Sequence, residues 1–239
     1  MKINRIKKYL WLVFSLALAF AVLSGCSSGR ESGTLRVGVC AGPYEDLFRG
    51  AIEPSLQEQG YQVEYVQFSD YVQPNKALAG GEIDVNLFQH AVYLKNFSAE
   101  HGLDLTAVTE VPTAGMGIFS DHLPSLEDVP QGAVIAVPND VTNLARAVRV
   151  LEQAGLVTID PAVDPAEATQ HTLSGNPKEL TFVEIEAPQL PRSLGSVDMA
   201  VINGNYALSA GLSLSESLYS EALQEGYVNV IAVRSADRD

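Results

Sequence analysis

Cysteine is nearly absent from this sequence of 239 residues: Cys26 and Cys40 are the only two. Two thiols cannot build a multi-cysteine metal site. Histidine is almost as scarce. His90, His101, His122 and His171 show neither H-E-x-x-H nor H-x-H spacing, so no metal set is expected among them. The sequence also lacks a G-x-S-x-G nucleophile elbow and a phosphate-cradling G-x-x-x-x-G-K loop. An enzyme is therefore not expected, nor any cofactor. Basic residues are few, 15 Lys and Arg against 29 Asp and Glu. A body that acidic repels phosphate backbones, which excludes nucleic acid as a natural partner. The acidic residues form no long run, as expected of a solvated globular surface. Internal repeats are absent.

The basic residues that do occur are unevenly placed. Lys2, Arg5, Lys7 and Lys8 precede an apolar run from Tyr9 to Leu23 that holds the sole tryptophan, Trp11. That run is too short to span a bilayer comfortably and has the build of a secretory signal. It ends at Leu23-Ser24-Gly25-Cys26, a small-residue pair before a cysteine, as in a bacterial lipobox. Residues 1–25 are thus expected to be a lipoprotein signal peptide, cleaved so that Cys26 becomes N-terminal and acylated. Residues 26–33, rich in Ser and Gly, would be a flexible tether. The product would be exported and held at the cell membrane by lipid alone, facing the outside or the periplasm. Cys40, left without a partner, is expected to be a small core or cleft-edge residue.

The remaining chain, long enough for one large domain or for two lobes each with its own core, alternates strand and helix. Strands are expected near Leu35–Val39, Tyr61–Phe68, Ile83–Leu87, Leu105–Val111, Gly115–Phe119, Ala133–Val137, Thr181–Ile185, Met199–Asn203 and Val228–Val233. Between them fall a helix over Glu45–Gln59, with Gly50 and Pro54 inside it and Gly60 to stop it, and a short one opened by Pro74 and closed by Gly80-Gly81. Such βα alternation argues for an α/β fold with mainly parallel sheets. Glu110–Gly117 and Val201–Tyr206 carry the glycine or proline expected where the chain crosses between lobes.

Four stretches carry candidate chemistry. The strand Ile83–Leu87 runs into Phe88, Gln89, His90 and then Tyr93, where an open α/β sheet presents a ligand; a helix whose aromatics merely pack the core is the alternative. After Pro138, Asp140, Thr142 or Asn143 can cap a helix whose core stripe is Leu144, Val148 and Leu151. Arg146 lies about 200° around that helix from Leu144 and can face the crevice as a carboxylate receptor, or lie solvated on the surface. Val201-Ile202-Asn203-Gly204-Asn205-Tyr206 is a buried strand ending in amides, and Asn229 is a polar residue in an apolar strand that calls for a partner. The fourth, Glu184 to Leu194, starts a short helix after a strand and is weak by itself.

Taken together, Asp70-Tyr71-Val72-x-Pro74-Asn75-x-Ala77-Leu78, Asp84 through His90 with Tyr93-Leu94, Val137-Pro138-Asn139-Asp140-x-Thr142-Asn143-Leu144-x-Arg146, Glu186-Ala187-Pro188-Gln189-Leu190-Pro191-Arg192-Ser193-Leu194 and Ala200-Val201-Ile202-Asn203-x-x-Tyr206 resemble the methionine-binding lipoproteins of ABC importers, the NlpA lipoprotein family. The stretches run in family order over nearly the whole mature chain. The resemblance implies a two-lobed, periplasmic-binding-protein-like fold with the ligand cleft between lobes. Residues 34–113 and 206–239 would form lobe 1, and 114–205 lobe 2. It implies that Tyr71, Phe88, His90 and Tyr93 receive the ligand side chain, an aromatic setting suited to a thioether. Arg146 would pair with the α-carboxylate, and Asn203 and Asn229 would bond the head group. L-methionine is the implied ligand, a membrane permease with its ATPase the implied partner, and a monomer the implied state. Another small amino acid or dipeptide on the same fold, or an adhesion or display role for a surface lipoprotein, are the alternatives. Two departures bear on this. Gly38 to Pro43 and Gly204-Asn205 differ from common family residues near the cleft, so ligand class is better defined than ligand identity. The family chain usually continues in helical structure past its last strand, whereas this sequence stops at Asp239, and a first lobe short of a helical brace is expected.

Overall fold

A computed structural model describes residues 33–238; the expected signal, Cys26 and most of the tether lie outside the described residues. From Leu35 onward the chain forms one compact unit. Strand β1 (Thr34–Cys40) carries the alternating Leu35, Val37 and Val39. The helix expected over Glu45–Gln59 is two: α1 (Tyr44–Ala51) and α2 (Glu53–Glu58). Pro54 is the cause. It has no N–H to continue the ladder, so the helix breaks at Ile52 and α2 restarts with proline in its first turn. Gly50 is accommodated within α1. After β2 (Gln62–Phe68), α3 (Gln73–Gly80) begins with Pro74 in its first turn and ends at Gly81, whose φ of 76° lets the following N–H, of Glu82, return to the Ala77 carbonyl.

Strand β3 (Val85–His90) is buried at all six positions and includes Phe88, Gln89 and His90. It passes directly into α4 (Ala91–His101). Then follow β4 (Leu105–Val111), β5 (Gly117–Phe119), β6 (Val134–Pro138) and α5 (Val141–Gln153). A small hairpin of β7 (Thr158–Ile159) and β8 (Leu173–Gly175), too short to be read from alternation, precedes β9 (Thr181–Ile185). The chain continues through α6 (Leu190–Ser193), β10 (Met199–Ile202), α7 (Gly204–Ser209), β11 (Tyr219–Ser220) and β12 (Asn229–Arg234).

Two five-stranded sheets result, ordered β2-β1-β3-β12-β4 and β11-β5-β10-β6-β9. Both are mixed, where the βα alternation predicts mainly parallel pairing. Parallel pairs do occur, β1 with β3 and β6 with both β10 and β9. In the first sheet, β12 runs antiparallel to β3 and to β4. The reason is connectivity: β4 carries the chain out of that sheet and β12 brings it back, so the two neighbours must run in opposite senses. The outward crossing, residues 112–116, lies where the sequence places it. The return does not. Val201–Tyr206 stays with the second sheet, as β10 and the start of α7, and Tyr219–Ser220 pairs with Ile118 and Gly117 of β5. Residues 206–220 therefore belong with the second sheet rather than the first, and the chain recrosses over residues 221–228.

Each sheet has its own core. In the second, the α5 stripe Leu144, Val148 and Leu151 packs against Ile118, Ile135, Met199 and Val201, while Leu190, Leu194 and Tyr206 cover the opposite face. In the first, Tyr44 and Phe48 of α1 pack on Val37, Val39 and Leu87, and Leu78 and Leu94 cover the other side with Val230 and Ala232. Cys40 is buried beside Phe88 and Tyr93, as expected of a core or cleft-edge residue, and burial pushes its thiol far above the usual range. Among the described residues no helix is long and apolar enough to cross a membrane.

Candidate functional site

The carboxyl end of β3 and the amino end of α5 face one another across the space between the two sheets. There they enclose a small cavity of about 20 Å³, room for about one water rather than for an amino acid. Its lining includes all seven residues singled out in the sequence: Tyr71, Phe88, His90, Tyr93, Arg146, Asn203 and Asn229. Sequence-distant residues join them, among them Tyr44, Asn143 and Asn205.

One end is aromatic. The Tyr71 ring lies 5.7 Å from Phe88, 6.0 Å from Tyr93 and 5.1 Å from Tyr206, centroid to centroid. Such spacing is that of favourable tilted and edge contacts. Tyr93 donates its hydroxyl to the Tyr71 carbonyl at 3.0 Å, which ties α4 to the segment before α3. Behind this wall Asn75, Asn86 and Gln89 bond one another at 2.7–3.0 Å, so the polar residues of β3 that face α3 are satisfied.

The other end is polar. His90 closes β3 in extended geometry, and its Nδ1 accepts the Tyr93 backbone N–H at 3.1 Å, capping α4. With Nδ1 accepting, the ring proton sits on Nε2, which faces Asn143 Oδ1 at 3.4 Å. Burial, with Arg146 nearby, holds the imidazole well below its usual pKa, so it is neutral at neutral pH. His90 is thus both a satisfied core histidine and a wall of the cavity. Asp140 caps α5, accepting the Asn143 backbone N–H at 3.0 Å. Burial pushes its carboxyl up from the usual range, opposed by hydrogen bonds from Asn143 and Thr142.

Arg146 differs from its expectation as an open receptor. It is 4% exposed, and two of its guanidinium nitrogens are taken: Nε donates to Glu221 Oε1 at 2.8 Å and Nη2 to Glu221 Oε2 at 2.7 Å. Glu221 also accepts the Met116 backbone N–H at 2.7 Å. The guanidinium fork therefore grips a protein carboxylate. Only the Nη1 arm has no protein partner among the described residues. Glu221 lies 75 positions further on in a segment without a readable pattern, and no local signal marks it.

Asn229, the polar residue in an apolar strand, finds its partner in the Phe88 carbonyl at 3.2 Å. Asn203 donates Nδ2 to Asn143 Oδ1 at 2.9 Å, and its own Oδ1 is buried with no partner among the described residues. Asn205 clasps the first lobe with both ends of its amide. Its Oδ1 accepts from the Tyr71 hydroxyl at 2.6 Å and its Nδ2 donates to the Ala41 carbonyl at 2.9 Å. Gly42 packs on it, with a φ of +129° and room for no Cβ: one added there would lie 2.6 Å from Asn205 Cβ.

The arrangement offers hydrogen bonds, aromatic surface and one guanidinium arm. Among the described residues no cluster of potential metal ligands occurs. Residues 35–239 match the family model described as NlpA lipoprotein. The chain belongs to the NlpA lipoprotein family. A curated family relative, the D-methionine-binding lipoprotein MetQ of Salmonella typhi, is 37% identical over 232 residues, covering 95% of this chain and 83% of its own. Among solved structures, the periplasmic substrate-binding protein of an ABC transporter from Coxiella burnetii superposes with a TM-score of 0.81 at 42% identity, covering 86% of each chain. A nutrient-binding protein from Burkholderia cenocepacia, solved bound to methionine, gives a TM-score of 0.81 at 38% identity, again over 86% of each chain. The α/β architecture of this NlpA member is that of the periplasmic substrate-binding proteins.

Proposed function

We propose that this chain is the lipid-anchored substrate-binding component of an ABC importer. It takes L-methionine between its two lobes and delivers it to a membrane permease driven by its ATPase. The observation that carries the reading is the convergence of seven residues, spread from Tyr71 to Asn229, on one cavity, aromatic at one end and amide-rich at the other. A thioether packs well on ring faces and edges, and an amino-acid head group needs the donors and acceptors of the other end. The relatives named for methionine binding support the same ligand.

In this reading Tyr71, Phe88, His90 and Tyr93 surround the ligand side chain. Arg146 offers Nη1 to the carboxylate, and Asn203 and Asn229 meet the rest of the head group. Lobe 1 comprises the first sheet and its helices, and lobe 2 the second, with residues 112–116 and 221–228 as the hinge. The protein acts as a monomer, carries out no chemistry on its ligand, and is held to the membrane through Cys26.

The test is equilibrium dialysis of radiolabelled L-methionine against the full chain in detergent, after unfolding and refolding to strip carried-over ligand. Saturable one-to-one binding, competed by unlabelled L-methionine, is expected. A folded sample that binds no methionine would end this reading.

A further inference from the structure

Asp140 does more than cap a helix. Besides the Asn143 backbone N–H, its two carboxylate oxygens accept from the Asn143 side-chain Nδ2, at 3.0 and 3.1 Å. A carboxylate has no proton to give, so the amide of Asn143 has one allowed orientation, nitrogen toward Asp140 and oxygen away. That oxygen then faces two donors, Asn203 Nδ2 at 2.9 Å and His90 Nε2 at 3.4 Å. Asn203 is oriented in turn. Its nitrogen is held by Asn143, and its Oδ1 is left buried and unpartnered in the cavity lining, the residue being only 4% exposed. A buried acceptor without a partner is costly, and a ligand carrying a donor would satisfy it.

We propose that Asp140 is a specificity-determining positioning residue: acting through Asn143, it fixes Asn203 with its carbonyl oxygen toward the cavity, so that the site requires a ligand with a free amino group. This deepens the methionine reading and rests on it for the identity of the side chain, though not for the requirement. Without Asp140 only the longer contact from His90 Nε2, at 3.4 Å, would hold the Asn143 amide in this orientation, and the amide could turn over. Asn203 could then turn as well and present a donor, and the preference for an amine would be lost while the pocket kept its shape. Arg146 cannot supply the same discrimination, because its charge is matched by Glu221 within the pair and its free arm recognises an acid whether or not an amine is present.

The experiment compares each ligand with its deaminated acid: methionine with 4-(methylthio)butanoate, and the corresponding pairs for leucine, isoleucine and phenylalanine. Dissociation constants are measured on the full chain in detergent for the parent, Asp140→Ser and Asp140→Asn. Serine is as good an N-cap as aspartate, but its hydroxyl can donate as well as accept and so does not fix the orientation of the Asn143 amide. Asparagine caps and keeps one acceptor oxygen. A site built around a hydrogen-bonding substrate group rejects analogues lacking it by large factors, so the parent is expected to prefer methionine over its acid by on the order of 10³-fold or more. In Asp140→Ser the ratio should fall at least tenfold, and Asp140→Asn should recover most of it. General loosening weakens both members of a pair alike and leaves the ratio in place. A parent that binds the acid as well as the amino acid, or a ratio unchanged in a folded Asp140→Ser, overturns the proposal and leaves methionine binding intact. If the parent binds another amino acid of the panel instead, the methionine reading falls and that pair's ratio judges Asp140. Binding of none of the eight overturns both.

Discussion

At the scale of single residues, the site is dominated by groups whose charge is managed by a neighbour. His90 is kept neutral by burial and by Arg146. In the unfolded chain it takes a proton near its usual pKa of 6.5, whereas in the fold it does so only well below that. Between those two values the unfolded state binds more protons, so stability falls as pH falls through the window. From this one group the slope approaches about 1.4 kcal/mol per pH unit. Urea denaturation at pH 7 and pH 5.5 should show His90→Gln losing less stability on acidification than the parent. Arg146 and Glu221 behave as a unit. Removing one leaves the other buried and uncompensated, so Arg146→Ala is expected to cost about 3–5 kcal/mol in denaturant melts. The double variant Arg146→Met with Glu221→Leu should recover most of that stability and still bind methionine poorly. In the sequence Arg146 stands off the Leu144–Val148–Leu151 stripe, which leaves it either facing the crevice or solvated, and the fold buries it in the cavity lining. Its counter-ion was illegible, since nothing local distinguishes Glu221 among 29 acidic residues.

At the scale of elements, legibility followed the strength of local chemistry. Strands β4 and β9 fall at the residues their alternation gives, and α3 is bounded by the proline and glycines that announce it. The Gly81 φ of 76° is left-handed, so Gly81→Ala should cost about 1–2 kcal/mol, measured by thermal or urea unfolding. Helix α5 was equally plain, and its stripe is in the core, with Leu151 fully buried. Leu151→Ala should therefore lose about 2–5 kcal/mol in the same assay. The pieces that escaped were those whose form depends on distant partners. The two-residue strands β7 and β11 are too short for a period to register, and they exist because Leu173–Gly175 and β5 offer open edges.

At the scale of the whole molecule, the α/β class follows from the alternation and the division into two lobes from the family resemblance, but the path between the sheets follows from neither. Glycine and asparagine near residue 204 have the composition of a hinge; in the fold they serve closeness instead. Gly204 has the Ala114 and Gly115 backbone where a Cβ would be, and Asn205 reaches across to Tyr71 and Ala41. These two neutral hydrogen bonds, at about 1 kcal/mol each, favour the joined arrangement of the lobes whatever the cavity holds. Asn205→Ala should accordingly raise the radius of gyration of the ligand-free protein in X-ray scattering and weaken methionine binding by up to about 30-fold. The same clasp has a consequence in time. A ligand enclosed between the sheets escapes only when the Tyr71–Asn205–Ala41 contacts part, and those contacts do not know which ligand is inside. Tightly and weakly held ligands then share a common ceiling on their escape rate, and a membrane partner that pried Asn205 loose would unload either without touching it.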